Sequence, residues 1–511
     1  MKFLYISLKN TNMKKIVSIT ALTLMILVMS CRNDFIDLAP IDSVTVTSLY
    51  NTDDDFNQAT NGCYAGLADF YKNWWMFGDL RGDFVCDILI KDYSFFDYFF
   101  LNVNDTTCAT AWRKLYVIVS RVNQVLYSIK DKSDAIIANK ARYIAEAEFI
   151  RALAYFDLVR IFGDVPMITA PVSARKAYKL GRIPVAEIYD KVIIPDLLDA
   201  EKNLPVKYTG TLVGKATSGA AKALLSEVYL TLHDYVKAEV KSEELTKAPY
   251  TYALLANYAD LFDYSREEHH SEYIFDIEYV TGGLGLGNNF TNLFCPRDQV
   301  AITFYKLFGS ASGALNFFTH NEVIGNGWNK FGYVSLFDLF PTGDKRKDVT
   351  VEANGYTDSN GVYHRFSGFS SDDLTYTVKY LNVIQSGAND SGANWKVYRY
   401  ADILLMYAEA LNENAKTAQA LPYLNMVHTR AGLSALAAGM TQAQMADAIA
   451  LERVLELTAE GHRWFDLVRT GEALNKCAFQ KMKSYMTIWP VPQIQIKLYN
   501  DPEVFWQNPG Y

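Results

Sequence analysis

Cysteine and histidine are scarce in this chain, and neither clusters. Six cysteines are spread over 511 residues. Beyond Cys31, the others (Cys63, Cys86, Cys108, Cys295 and Cys477) are odd in number and form no C-x-x-C, so they read as free buried thiols, not as a disulfide framework or a metal site. Among seven histidines the one group is Glu267-Glu268-His269-His270, which lacks the i, i+4 histidine pair of a helical zinc site. No metal is expected there. There is no G-x-S-x-G, and the glycines from Gly282 to Gly287 are followed by neither Lys-Ser/Thr nor a helix, so that stretch reads as a flexible loop and not a phosphate cradle. No catalytic residue and no cofactor are expected. Runs of Lys/Arg are also missing, and the net charge is −8, which makes nucleic acid a poor partner, because phosphate neutralisation dominates that affinity.

Long apolar runs are missing as well. The uncharged run from Ile16 to Met29 is too short to span a bilayer. It follows Lys14-Lys15 and ends Leu27-Val28-Met29-Ser30-Cys31: a basic n-region, a short h-region and a small residue before cysteine. That is the pattern of a bacterial lipobox, with 1–30 as signal peptide, Cys31 as the acylated mature N-terminus and 31–50 as a tether. A simple secretory peptide cut nearby is the alternative. Met13 is a second candidate start.

What the chain has in quantity is apolar and aromatic residues, with 34 Tyr, 29 Phe and 8 Trp. Half of the composition is apolar and a fifth charged, enough for a large core. Helical spacing predicts helices after Thr52-Asp53-Asp54-Asp55, over Trp112–Ile129, Ala145–Phe162, Pro184–Leu204 (kinked at Pro195), Ala216–Leu232, on to Leu245, and again over Trp395–Glu413, Thr417–Ala431 and Thr441–Arg469. Between about Tyr250 and Trp395 glycine is frequent, with short extended runs at Tyr273–Val280 and Thr375–Ile384. Ala152, Ser226 and Ala408 each stand three residues before a large one, the small-residue logic of stacked tetratricopeptide pairs. The expected fold is mainly α: a superhelical array of such pairs with a loop-rich, irregular insertion and C-terminal half. The divisions expected are 51–249, 250–394 and 395–511.

Ala145–Pro166 is the centre of that array. Glu146, Asp157, Arg160 and Asp164 fall on one side of the helical wheel and Glu148 and Arg151 opposite, so the helix is contacted on several faces. Asp157 at i−3 and Asp164 at i+4 are the pairs expected for Arg160. Glu452, Glu456 and Glu460 share a spacing of four, but Arg453 and Arg463 lie on the same side, which favours an internal ion-pair network over an acid/base site.

Many rings fall outside the helical periods. Trp74, Trp75, Tyr93, Phe96, Tyr98, Tyr279, Phe290 and Trp328 sit in loops or irregular segments. Such rings can stack on the C–H faces of sugars, or they can anchor long loops to the core.

Ordered blocks along the chain resemble the SusD/RagB family of outer-membrane lipoproteins. After the lipobox come Thr52–Phe56 with Gly62-x-Tyr64, then Glu146-Ala147-x-Phe149-x-Arg151-Ala152-x-x-Tyr155 with Gly163–Pro166. Arg399–Ala410, Arg430–Leu433, Glu452–Arg469, and Trp489–Pro492 with Gln507–Tyr511 complete the set. Tyr499-Asn500-Asp501-Pro502 departs from the more usual Asn-Pro. The resemblance implies a lipid-anchored protein facing the cell exterior that binds glycan without cleaving it and delivers it to a SusC-like TonB-dependent transporter. It implies that Arg399, Asp402, Arg463 and Asp466 tie buried helices together. It also places sugar contacts among loop aromatics, here Trp74, Trp75, Tyr93, Phe96 and Tyr98, and Tyr279, Phe290 and Trp328 of the insertion. A helical-repeat scaffold without glycan binding and a surface glycoside hydrolase are the alternatives.

Overall fold

Thr52 and its three aspartates start a helix as their chemistry predicts. Thr52 Oγ1 accepts from the Asp55 amide at 3.2 Å, and the Asp55 carboxylate accepts from the Thr52 amide at 2.8 Å, a reciprocal capping box. The helix so capped, α1, covers Asp53–Tyr71. A computed structural model describes residues 49–87, 94–264, 268–294, 317–318, 336–353, 355–357, 363–365, 375–381, 389–478 and 481–511. The longer helices that follow are α2 (Thr106–Ile129), α3 (Lys140–Phe162), α4 (Ile194–Asn203), α5 (Ser218–Thr231), α6 (Tyr235–Leu245), α7 (Tyr400–Glu413), α8 (Thr417–Arg430) and α9 (Gln442–Leu457).

Each of these helices from α1 to α8 packs on the next, and α9 closes on α7 and α8. The array therefore passes through the insertion unbroken: α6 lies against α7, with Asn414 Nδ2 donating to Tyr235 O at 3.0 Å and Lys416 paired with Glu239 at 2.6 Å. Ala152, Ser226 and Ala408 are fully buried, where small size lets neighbouring helices approach. The fold is mainly α, built on stacked helix pairs, and the described strands form two-stranded ladders. Among the described residues no helix is long and apolar enough to cross a membrane. Cys63, Cys108 and Cys477 are free and buried. Cys31 and Cys295 lie outside the described residues.

α3 is the centre of this stack, and its charges are paired on both sides. Glu146 accepts from Arg142 at 2.9 Å, Tyr208 at 3.1 Å and Lys215 at 3.2 Å. Opposite, Arg151 holds Asp196 through two bonds of 2.7 and 2.8 Å. Arg160 pairs with Asp157 at 2.8 Å and, unexpectedly, with Glu227 of α5 at 2.5 Å. Asp164 is not its partner: Gly163, at φ +71°, breaks the helix first, and the Asp164 carboxylate caps the Val185 amide instead. Pro195 stands in the first turn of α4, where its missing N–H is tolerated, and a π turn over Tyr189–Ile193 precedes it.

Three expectations need correction. Trp395–Arg399 is not the first turn of a helix but a strand, antiparallel to Tyr273–Ile277. Thr441–Arg469 is two helices, α9 and α10 (Arg463–Arg469), separated by a turn in which Ala459 and Gly461 take φ of +63° and +83°. The glycine-rich loop is clamped: the amides of Gly282 and Gly283 both donate to the Asp390 carboxylate, at 2.7 and 2.9 Å.

The glutamates of α9 and its following turn do form an ion-pair network, with other partners than Arg453 and Arg463. Arg399 donates to Glu460 at 2.7 Å and Glu272 at 2.9 Å, and also to Glu456. Arg346 holds Glu452, Glu456 and Asp344; Arg430 holds Glu272 and Glu456; Lys379 holds Glu460 at 2.7 Å. Arg453 instead joins Asp402 to Asp466, and Arg463 holds Asp83. Of the ties between buried helices that the resemblance implies, Asp402 of α7 and Asp466 of α10 are joined through Arg453, whereas Arg399 ties a strand to α9 and its turn and Arg463 ties α10 to the loop at Asp83. Surrounding guanidinium and ammonium groups overcome burial and hold the Glu460 carboxyl down at about 2.

Arg399→Met leaves buried glutamates uncompensated, so the expected loss of stability is about 3–5 kcal/mol by chemical denaturation. Glu148 behaves oppositely. Burial first, then a hydrogen bond to Asp199, push its carboxyl up to about 9. A raised carboxyl keeps its proton in the folded state while the unfolded chain ionises above about 4.3, so stability drains away as pH rises toward 9. Glu148→Gln removes that drain. Denaturation midpoints of variant and parent should coincide near pH 4 and separate, with the variant more stable, up to pH 9.

Candidate functional site

The aromatic segment after α1 folds inward first. The short helix Trp74–Gly78 is buried throughout, with Trp74 and Trp75 4% and 2% exposed. Trp74 lies between Tyr71 and Phe465, each 5.1 Å away centroid to centroid, with the Arg160 guanidinium 5.4 Å from its ring. A Cβ on Gly78 would overlap the Gly461 carbonyl, so the turn after α9 rests directly on this helix backbone. Gly461 N also donates to the buried Asp79 carboxylate at 2.8 Å. Burial raises that carboxyl to about 8.

The chain then turns outward. Phe96 packs on Trp489 at 4.9 Å, and Phe99 packs on Trp464 at 5.6 Å and under the Arg81 guanidinium at 4.4 Å. Arg81 also faces Trp464 and Trp489, and burial lowers its pKa to about 10. Phe99 takes φ +59°, a left-handed conformation unusual for a ring-bearing residue and held here by that packing. The reversal sends Phe96 and Phe99 into the core and leaves Tyr98 and Phe100 outside. These two rings stack with centroids 6.4 Å apart and planes 23° from parallel. Phe100 is 66% exposed and Tyr98 partly so, and the exposed amide side chains of Asn102 and Asn104 follow. Below, Asp105 caps α2 through the amides of Thr107 and Cys108, fixing the loop's exit.

The insertion comes to the same place. Cys86–Asp87 pairs antiparallel with Phe317–Phe318, and Ser94–Asp97 packs against that ladder. The Phe294 ring meets Trp75 edge-on at 6.3 Å. The two regions to which the resemblance assigns sugar contacts are therefore neighbours.

Individual rings fare differently. Trp74, Trp75, Phe96, Tyr279 and Phe290 are at most 5% exposed. They offer no free face, which corrects their reading as contact residues. Tyr279 donates to Ala68 O at 2.8 Å and meets Phe290 edge-on, and Phe290 packs on Tyr380 and Trp395. Such rings hold irregular segments onto the helical core. Tyr98 is the one of the set that stands outward among the described residues; Tyr93 and Trp328 lie outside them. Phe100, in the same segment, stands outward with Tyr98, since the spacing Phe96-x-x-Phe99 points two rings one way and leaves their neighbours on the other face. No group of three His, Cys, Asp or Glu side chains able to hold a metal ion occurs among the described residues. His269 instead pairs with Glu278 at 3.0 Å, and His270 Nδ1 accepts from the Glu272 amide.

Comparison with known proteins places this arrangement. Residues 35–230 match a SusD-like family model described as starch-binding associating with outer membrane, and residues 317–511 match that of the SusD family. The chain belongs to the SusD/RagB family. SusD-like protein P2 of Formosa agariphila is 27% identical over 96% of this chain and 99% of its own length. A SusD-like protein of Bacteroides ovatus is 26% identical over 87% and 81%. Among solved structures, a laminarin binding SusD-like protein superposes with a TM-score of 0.73 at 25% identity, covering 90% of this SusD/RagB chain and all of that one. Surface glycan-binding protein A from Bacteroides fluxus, at 20% identity and a TM-score of 0.72, shares the fold over 90% of this chain.

Core and surface rings should part in mutagenesis. Trp74→Ala is expected to cost about 3–5 kcal/mol of stability, while Phe100→Ala stays within about 0.5 kcal/mol of the parent. Denaturant unfolding of both variants checks this.

Proposed function

We propose that this SusD/RagB protein captures glycan at the cell surface, without cleaving it, and passes oligosaccharide to a SusC-like TonB-dependent outer-membrane transporter. The observation that carries the reading is the stacked, outward-facing pair Tyr98 and Phe100, raised on a loop whose other rings are locked in the core. Flat apolar rings beside exposed amides suit a pyranose, whose C–H face stacks while its hydroxyls hydrogen-bond. The family assignment and the laminarin-binding neighbour support the same ligand class. A lipid on Cys31 would hold the protein to the membrane without a spanning helix. Each ring is worth about 1 kcal/mol beyond the area it covers. A few such contacts give modest affinity and fast release, which suits hand-over better than tight retention does.

A glycan array followed by calorimetry tests the proposal. Tyr98→Ala and Phe100→Ala should each weaken binding about fivefold, and no reducing sugar should be released from any bound glycan. Sustained turnover would make the protein a glycoside hydrolase. Absence of glycan binding with retained co-purification of a transporter would make it a helical scaffold.

A further inference from the structure

α2 lines a second hollow, in which neither Tyr98 nor Phe100 takes part. Trp112, Tyr116, Ser120 and Asn123 follow one another at near-helical spacing and form the floor of a hollow of about 330 Å³. That volume lies at the lower end of the range for small-ligand sites.

The opposite wall is the chain leaving α3, where Pro166 and Pro171 favour an extended path over a helical one. Three side chains hold that wall at a set distance. Tyr116 donates to Pro166 O at 2.8 Å, Tyr155 to Ile168 O at 2.9 Å, and Asn123 Nδ2 to Ile168 O at 2.8 Å. The third side is the helix Gln493–Tyr499. There Tyr499 stacks on Phe505 at 3.8 Å and donates to Ala177 O at 3.1 Å. Tyr178, 41% exposed, meets Tyr499 edge-on at 5.6 Å and 85°. Two rings at right angles thus form a corner that no described residue fills.

The rim is polar. Arg113, Ser120 and Gln495 line the hollow, and their side chains have no hydrogen-bond partner among the described residues. Among the described residues no carboxylate lines it, which disfavours cations. Ring faces beside a hydroxyl, an amide and a guanidinium suit a neutral pyranose, which offers both a C–H face and hydroxyls. The helix that carries Gln495 and Tyr499 is also tied to the loop of the first site: Gln493 N, at its start, donates to Val103 O at 2.7 Å, three residues beyond Phe100.

The geometry points to a second saccharide contact in this hollow, centred on Tyr178, Tyr499 and Gln495, which takes a further stretch of the polymer held at Tyr98 and Phe100. This second contact presupposes that the first takes a glycan. Two weak contacts on one chain raise the affinity for polymer without new contacts to a short oligosaccharide.

The test compares, for each polysaccharide captured on a printed array by the full-length protein, affinity for the polymer and for its trisaccharide. Tyr178→Ala with Gln495→Ala, and separately Ser120→Trp to fill the hollow, should lower polymer affinity at least about fivefold. Trisaccharide affinity at Tyr98 and Phe100 and the melting temperature should not move. Unchanged polymer affinity in both variants overturns the second contact and leaves the first standing. Loss in these variants alone, with Tyr98→Ala and Phe100→Ala binding as the parent does, overturns the second contact as an extension of the first, because no polymer is then held at Tyr98 and Phe100. An array with no bound polysaccharide overturns both.

Discussion

The structure depends on buried charge. Arg399, almost wholly enclosed, is held by Glu456, Glu460 and Glu272 at once, and Arg346, Arg430 and Lys379 complete the ring around the same carboxylates. Charges removed from water are costly unless each finds partners of good geometry. Here the partners come from far apart in sequence: α8, α9 and its turn, the strand before α7, its antiparallel mate, and residues 344–346 and 379 of the insertion. Closing the network therefore requires that the helical array and the insertion already stand in register. Specificity, more than net stabilisation, is what such a network supplies.

The loop aromatics follow from that frame. The turn that carries Glu460 into the network also puts Gly461 against Gly78, which sets the short helix Trp74–Gly78 on the core. Rings along this path fill the space between irregular backbone and helices, Trp74 on Phe465 and Phe77 on Trp489. Around Phe99 the rings alternate, Phe96 and Phe99 turning into the core and Tyr98 and Phe100 toward the surface. The surface pair is thus presented by a loop whose inward side is as tightly packed as the helices, so little ordering entropy remains to be lost when a ligand arrives.

Much of this could be read from residues alone, and the failures have physical causes. Helices with one apolar face were placed within a few residues, and charges on both faces of α3 correctly marked it as central. Trp395–Arg399 reads as helix from sequence because its Lys396 and Arg399, buried in the fold by ion pairs, leave neither a clean alternation nor an apolar run to set this strand apart from the helix that follows. The network was foreseen but its cations were not, since Arg346 and Lys379 reach Glu456 and Glu460 across long loops that leave no local pattern. For the rings, residue type says that a surface must be covered, not by what. Trp74 and Phe100 carry the same signal in sequence and opposite exposure in the fold, and the left-handed turn at Phe99 that separates inward from outward rings has no glycine to announce it.

A rigid charged frame presents a few surface rings, and those rings and not the frame meet the ligand. Hydrogen–deuterium exchange of the intact protein, free and saturated with a glycan it captures, tests this most directly. New protection is expected in the segment from Tyr98 to Asp105 and along the helix Gln493–Tyr499, with α9 and the strand Trp395–Arg399 already protected and unchanged. Protection appearing instead at residues 452–461, with none around Phe100, would contradict it.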